Sequence, residues 1–97
     1  MADDSSATVL RRTLTIVNRR GLHARAAAKF VTLAERFGAS VEVLRDGQSV
    51  SARSIMGLMM LGAGLGSTIE MQAEGWDARE ALDALGALVE AGFHEQD

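Results

Sequence analysis

Gly21-Leu22-His23-Ala24-Arg25-Ala26-Ala27 is the stretch where a strand-like pattern gives way to a helical one, and it sets a histidine at the switch. From Ala24 to Phe37, Ala27, Phe30, Val31, Ala34 and Phe37 fall at helical spacing, with Arg25, Lys29, Thr32 and Arg36 on the opposite face. The spacing predicts an amphipathic helix starting at about His23. Its first turn leaves backbone N–H groups without partners and carries the positive end of the macrodipole, so an anion is stabilised beside the N–H groups of Ala24 and Arg25. Arg25 adds a planar, permanently charged fork suited to phosphate oxygens. An imidazole that titrates near neutrality can present a nucleophilic nitrogen to phosphorus. The same seven residues equally fit a surface histidine at a helix start with solvated arginines, and on their own they leave both readings open.

Upstream, Leu14 and Ile16 alternate with Thr13 and Thr15, which predicts a half-buried strand ending at Asn18-Arg19-Arg20-Gly21. Downstream, Gly38 is placed as a helix stop, and Val41 and Val43 alternate with Ser40 and Glu42 in a second strand. Asp46-Gly47 tolerates positive φ at both positions, so Gln48 to Ala52 is expected to return antiparallel, with Val50 and Ala52 inward. Ser54 is a good N-cap for a short helix to Leu61, and Gly62-Ala63-Gly64-Leu65-Gly66 is a loop. Thr68 to Glu74 alternates cleanly, with Ile69, Met71 and Ala73 on one side. Asp77 and Glu80 resemble a capping box ahead of a helix whose apolar face is Ala78, Ala81, Leu82, Leu85, Leu88 and Val89. Gly92 ends that helix and Phe93 packs back. The order is strand, helix, strand, strand, helix, strand, helix, each strand with one apolar face. That pattern predicts an α+β open-faced sandwich, an antiparallel or mixed sheet with helices on one side and water on the other. Residues 1–8 are expected to be a disordered tail, 9–93 the single domain, and 94–97 a frayed C-terminus in which His94 and Glu95 have no role.

Composition limits the chemistry. With no cysteine, disulfides, iron–sulfur clusters and common structural zinc sites are excluded. His23 and His94 are the only imidazoles and are not grouped with carboxylates at metal spacing, so no metal is expected. No apolar run reaches the ~18 residues of a membrane span. The acidic start Met1-Ala2-Asp3-Asp4-Ser5-Ser6 is unlike a secretory signal, which makes a cytoplasmic protein with no membrane partner the expectation. The net charge of −3 hides an asymmetry: residues 1–50 hold eight Arg and Lys against five acids, and residues 51–97 two against eight. Arg19, Arg20, Arg25 and Lys29 surround His23, so the local field favours anions. Only 4% of residues are aromatic, too few stacking side chains for a nucleic-acid surface.

Gly21-Leu22-His23-Ala24-Arg25, then Ser54-Ile55-Met56-Gly57-Leu58-Met59 with Leu61-Gly62, then Ala73-Glu74-Gly75, resembles the HPr family of histidine phosphocarriers of the phosphoenolpyruvate-dependent phosphotransferase system. The resemblance covers about residues 10 to 92. It implies a four-stranded antiparallel sheet with three helices on one face, in the order β-α-β-β-α-β-α. It also implies a protein that is not itself an enzyme and uses no cofactor: an Enzyme I homologue charged by phosphoenolpyruvate would phosphorylate His23 at Nδ1, and the group would pass to a histidine of an EIIA-type protein. Sugar uptake and nitrogen-type regulation both fit. Arg25 would contact the phosphoryl group. Ser54 would be the site of an HPr kinase/phosphorylase, although an N-cap role alone accounts for it equally. Ile55, Met56, Leu58 and Met59, with Met60 and Leu61, cannot all face inward on so short a helix, so part of this set is expected to form a docking patch. Ala26 departs from the family, which has proline there; alanine keeps the helix with a less rigid entry. A non-covalent anion- or protein-binding module is the alternative function.

Overall fold

The computed structural model describes residues 8–96. The elements are β1 (Leu10–Thr15), α1 (Ala24–Ala34), β2 (Ser40–Arg45), β3 (Gln48–Ser51), α2 (Ile55–Met60), β4 (Thr68–Glu74) and α3 (Ala78–Glu90), followed by a single 3₁₀ turn at Gly92–His94. The expected tail over residues 1–8 lies, except for Thr8, outside the described residues.

The four strands form one antiparallel sheet in the order β1-β4-β2-β3. Registry follows from the side-chain alternation, since a one-residue slip would turn every apolar side chain to water. Leu14 pairs with Ile69, Val43 with Met71 and Val41 with Ala73, all six buried. Thr13, Thr15, Ser40, Glu42 and Glu74 lie on the wet face. α3 packs on β1 and β4 and, less extensively, on β2, while α1 packs on α2 and α3. One hydrophobic core therefore lies between the sheet and its helices, with Phe30, Ile16, Leu58, Ile69, Met71 and Phe93 at its centre. Each such side chain contributes about 1.5–3 kcal/mol by leaving water.

At the β2–β3 turn Asp46 and Gly47 both have positive φ, 50° and 80°, the backbone a two-residue hairpin needs to match strand twist. The returning strand stops at Ser51, one residue short of the expected end. Ala52 still donates its N–H to Val41 O at 2.9 Å and is fully buried, whereas Val50 is half-buried.

Two element ends depart from the sequence reading. α1 ends at Ala34 rather than near Phe37, and the chain then turns through Arg36 N–H to Leu33 O and Phe37 N–H to Ala34 O. Asp77 does not cap α3: its carboxylate makes no helix-capping bond and instead accepts the N–H groups of Gly38 and Ala39 at 2.9 and 2.8 Å. Backbone donors at a tight turn are costly to bury unpaired, and Asp77, itself 5% exposed, satisfies two of them across 39 and 38 residues of chain. Thus Asp77 ties the exit of α1 to the entry of α3.

Candidate functional site

His23 is the N-cap of α1, with extended backbone (φ −74°, ψ 178°), and its Nδ1 accepts the N–H of Arg25 at 3.3 Å. The first intrahelical bond runs from Ala27 N–H to His23 O at 2.8 Å, so the N–H groups of Ala24, Arg25 and Ala26 precede the start of the ladder. Ala26 is fully buried, and thus packs the helix base as well as extending the helix.

Gly21 determines how the chain enters this helix. Its φ is +66°, and a Cβ there would lie 2.4 Å from Ala63 O and 2.7 Å from Gly64 Cα. The 62–66 loop can therefore approach closely enough for Leu22 N–H to bond Ala63 O at 2.9 Å, with Leu22 buried beside it.

Residues 94–97 are expected from the sequence to fray, yet the first two of them make defined contacts. His94 closes the 3₁₀ turn, and the Glu95 carboxylate bonds the His23 ring through Nε2. The second Glu95 oxygen accepts from Asn18 Nδ2 at 3.1 Å, and the same Asn18 nitrogen donates to Gly21 O at 3.0 Å. Gly92, Phe93 and His94 have φ of 63°, 58° and 60°, three left-handed residues in succession, two of which carry a Cβ. Such a conformation costs about 1–2 kcal/mol per non-glycine residue and persists only where the surroundings enforce it. Here the constraint comes from Phe93, which is fully buried, and from Lys29 Nζ, which donates to Phe93 O at 2.7 Å.

These contacts define the protonation of the ring. An ionised carboxylate can only accept, so Nε2 carries the proton; a backbone N–H can only donate, so Nδ1 presents its lone pair. The hydrogen bond from the His23 ring holds the Glu95 carboxyl below the ordinary carboxylate range, more than offsetting burial, which pushes it up. The Asn18 bond and the positive charge of Arg20 act in the same lowering direction.

Next to Glu95 lies an open cleft of about 360 Å³ lined by Arg20, Arg25, Lys29, His94, Glu95 and Gln96. Among the described residues Arg20 and Arg25 enter no ion pair, and both line this cleft. No group of three or more metal-ligating side chains occurs among the described residues, and none of the described helices is long and apolar enough to cross a membrane.

Ser54 is the N-cap of α2, its hydroxyl accepting Gly57 N–H at 2.9 Å. The residues of the predicted docking patch divide. Ile55 and Met59 are 39% exposed, Met56 68% and Met60 72%, whereas Leu58 and Leu61 are buried. Leu58 is therefore core rather than docking surface, because the single buried line of a six-residue helix passes through it. Glu95 and Asn18 were missed from sequence. Gly92 followed by Phe93 signalled a chain turning back after α3, but not that it reaches the start of α1.

A family profile described as "PTS HPr component phosphorylation site" matches residues 10–91. The phosphocarrier protein HPr of Cupriavidus necator is 51% identical over 87 residues, 90% of this chain and 98% of the relative. The phosphocarrier protein NPr of Shewanella violacea is 48% identical over 88 residues, 91% and 97% of the two chains. The crystal structure of HPr-C-His from Thermoanaerobacter tengcongensis superposes with a TM-score of 0.86 at 43% identity, covering 91% of this chain and 99% of that one. The chain belongs to the HPr family of phosphocarriers of the phosphoenolpyruvate-dependent phosphotransferase system.

Proposed function

We propose that this protein carries a phosphoryl group on His23 Nδ1, received from an Enzyme I homologue charged by phosphoenolpyruvate and passed to a histidine of an EIIA-type protein. The observation that carries the reading is the division of labour on one ring. Nε2 is protonated against Glu95, while Nδ1 turns its lone pair to the start of α1, where it accepts Arg25 N–H.

In the forward step the Nδ1 lone pair attacks phosphorus, a P–N bond forms, and the bond from phosphorus to the donor nitrogen breaks. Positive charge develops on the His23 ring, and the Glu95 carboxylate on Nε2–H stabilises it. Arg25 N–H leaves Nδ1 as the P–N bond forms and, with Ala24 N–H and the Arg25 guanidinium, balances the phosphoryl oxygens. The onward step is the reverse on a new acceptor. A carrier must hold the group without trapping it, so the site stabilises the transferring state more than the charged resting state. On this reading the protein turns over nothing itself.

The relatives named HPr and NPr are similar to this chain at nearly equal identity, 51% and 48%, and the proposal is held to the transfer chemistry that both names share. The exposed Ile55, Met56 and Met59 supply an adaptable apolar surface for the partners. Ser54 is the site at which an HPr kinase/phosphorylase would act. A phosphate at that N-cap would place about −2 charge beside the docking surface.

The test is incubation with phosphoenolpyruvate and an Enzyme I homologue, followed by intact-mass analysis. One acid-labile, base-stable phosphate is expected on the wild type and none on His23→Ala. Uptake by His23→Ala with the same lability removes the assignment. Full function in His23→Gln would instead favour non-covalent binding.

A further inference from the structure

Asn18 lies five residues before His23 and does not touch it, yet its geometry points to a part in the site. Its side chain is 6% exposed and comes from the segment that links β1 to α1. The amide nitrogen donates to two acceptors, Gly21 O at 3.0 Å and Glu95 Oε1 at 3.1 Å, while Oδ1 is buried with no partner. A side chain kept only to shape the turn needs no more than the first of those bonds. The second reaches across 77 positions to the carboxylate whose other oxygen holds His23. The arrangement is a donor that fixes a carboxylate, which fixes a ring: the carboxylate cannot rotate without losing one of its two partners. The backbone supports the same placement, since the left-handed turn at Gly92, Phe93 and His94 delivers Glu95 to the start of α1, with Lys29 clamping Phe93 O.

We propose that Asn18 is a positioning residue which, through Glu95, keeps Nε2 of His23 protonated and Nδ1 unprotonated for phosphoryl transfer. The inference deepens the phosphocarrier reading and rests on it for its consequence in transfer, but the state of the ring can be measured without any phosphate donor. Long-range proton–nitrogen NMR of the full chain with labelled histidine reads which ring nitrogen bears the proton in the neutral form. In the wild type Nε2 is expected to be protonated and Nδ1 bare. In Asn18→Ala the two nitrogen signals are expected to move toward each other as the tautomers mix. Unmoved signals in a folded Asn18→Ala overturn the proposal, whatever the outcome of the transfer assay.

The rate of phosphoryl uptake from a phosphorylated Enzyme I homologue gives the second readout. Asn18→Ala is expected to slow it about 10-fold, the scale on which an orienting partner acts, and to slow it no further once Glu95→Gln is present. An equal slowing in the Glu95→Gln background means that Asn18 acts by shaping the turn, and the proposal fails. Should Asn18→Ala not fold, Glu95→Ala reads the same link from its other end. The Asn18 side-chain amide and the His23 ring nitrogens must then shift together, and a shift of the ring alone overturns the inference. A wild type that shows the expected ring state but takes up no phosphate refutes the phosphocarrier reading and leaves the positioning role standing.

Discussion

Among single residues, Glu95 has the clearest dependence on solution conditions. The His23 ring and Asn18 hold its carboxyl below the ordinary value of 4.5, so folding favours its ionised form. The linkage has a definite sign: the stabilisation is fully present above about pH 4.5 and is lost as pH falls through the lower, folded-state value. Glu95→Gln is therefore expected to unfold at lower urea than the wild type at pH 7, with the gap closing in acid below that value. A gap that persists unchanged into acid would mean that the carboxylate charge contributes nothing. Arg25 can be separated from Glu95 by the type of defect. Arg25→Ala leaves the ring bonds in place and removes one charge from the cleft, so phosphate uptake should slow while the His23 nitrogen signals stay where they are.

At the scale of elements, α2 is the piece whose two faces do different work. Leu58 is fully buried and Met56 is 68% exposed, so Leu58→Ala should cost about 2–5 kcal/mol in chemical denaturation and Met56→Ala less than about 0.5 kcal/mol. A partner that docks on this helix should reverse the ranking, with weakened binding for Met56→Ala. Ser54→Ala removes the bond to Gly57 N–H and should cost about 1 kcal/mol, a fall in Tm of about 4–8 °C for a domain of this size. The legibility of the elements followed their physics. Thr68 to Glu74 could be read because each residue's face is set locally by alternation, and Asp46-Gly47 because positive φ is a property of those two residues. The role of Asp77 could not be read from its spacing to Glu80. Its carboxylate answers to Gly38 and Ala39, and a pattern of near neighbours holds no information about donors some 38 positions away. The same limit hid Leu58, where composition marked an apolar helix without saying which side the rest of the fold, chiefly α1, would cover.

Over the whole molecule, the site is made by the fold rather than by one segment. The sequence around His23 and Arg25 announced itself because a helix start, a histidine and basic neighbours are all local. Asn18 and Glu95 were silent because they meet across 77 residues, at a place fixed only once β1, α1 and α3 have packed together. The strand order β1-β4-β2-β3 has a further consequence for the birth of the chain. The first strand made has only the last strand as its neighbour, with Leu10 opposite Ala73, so it waits for nearly the whole polypeptide before it has a place to lie. Closing so long a loop costs entropy before any contact repays it, so the β1–β4 pairing is expected to form late. A nascent chain stalled at residue 66 contains the residues of the β2–β3 hairpin but those of neither β4 nor α3. On the ribosome it should remain sensitive to protease and should become resistant only when residues through Glu90 have emerged. Pulse proteolysis of stalled chains of increasing length would record that step, and early resistance would place the nucleus elsewhere. Glu95 emerges after all of these, so the carboxylate that bonds the His23 ring is added only after the last helix.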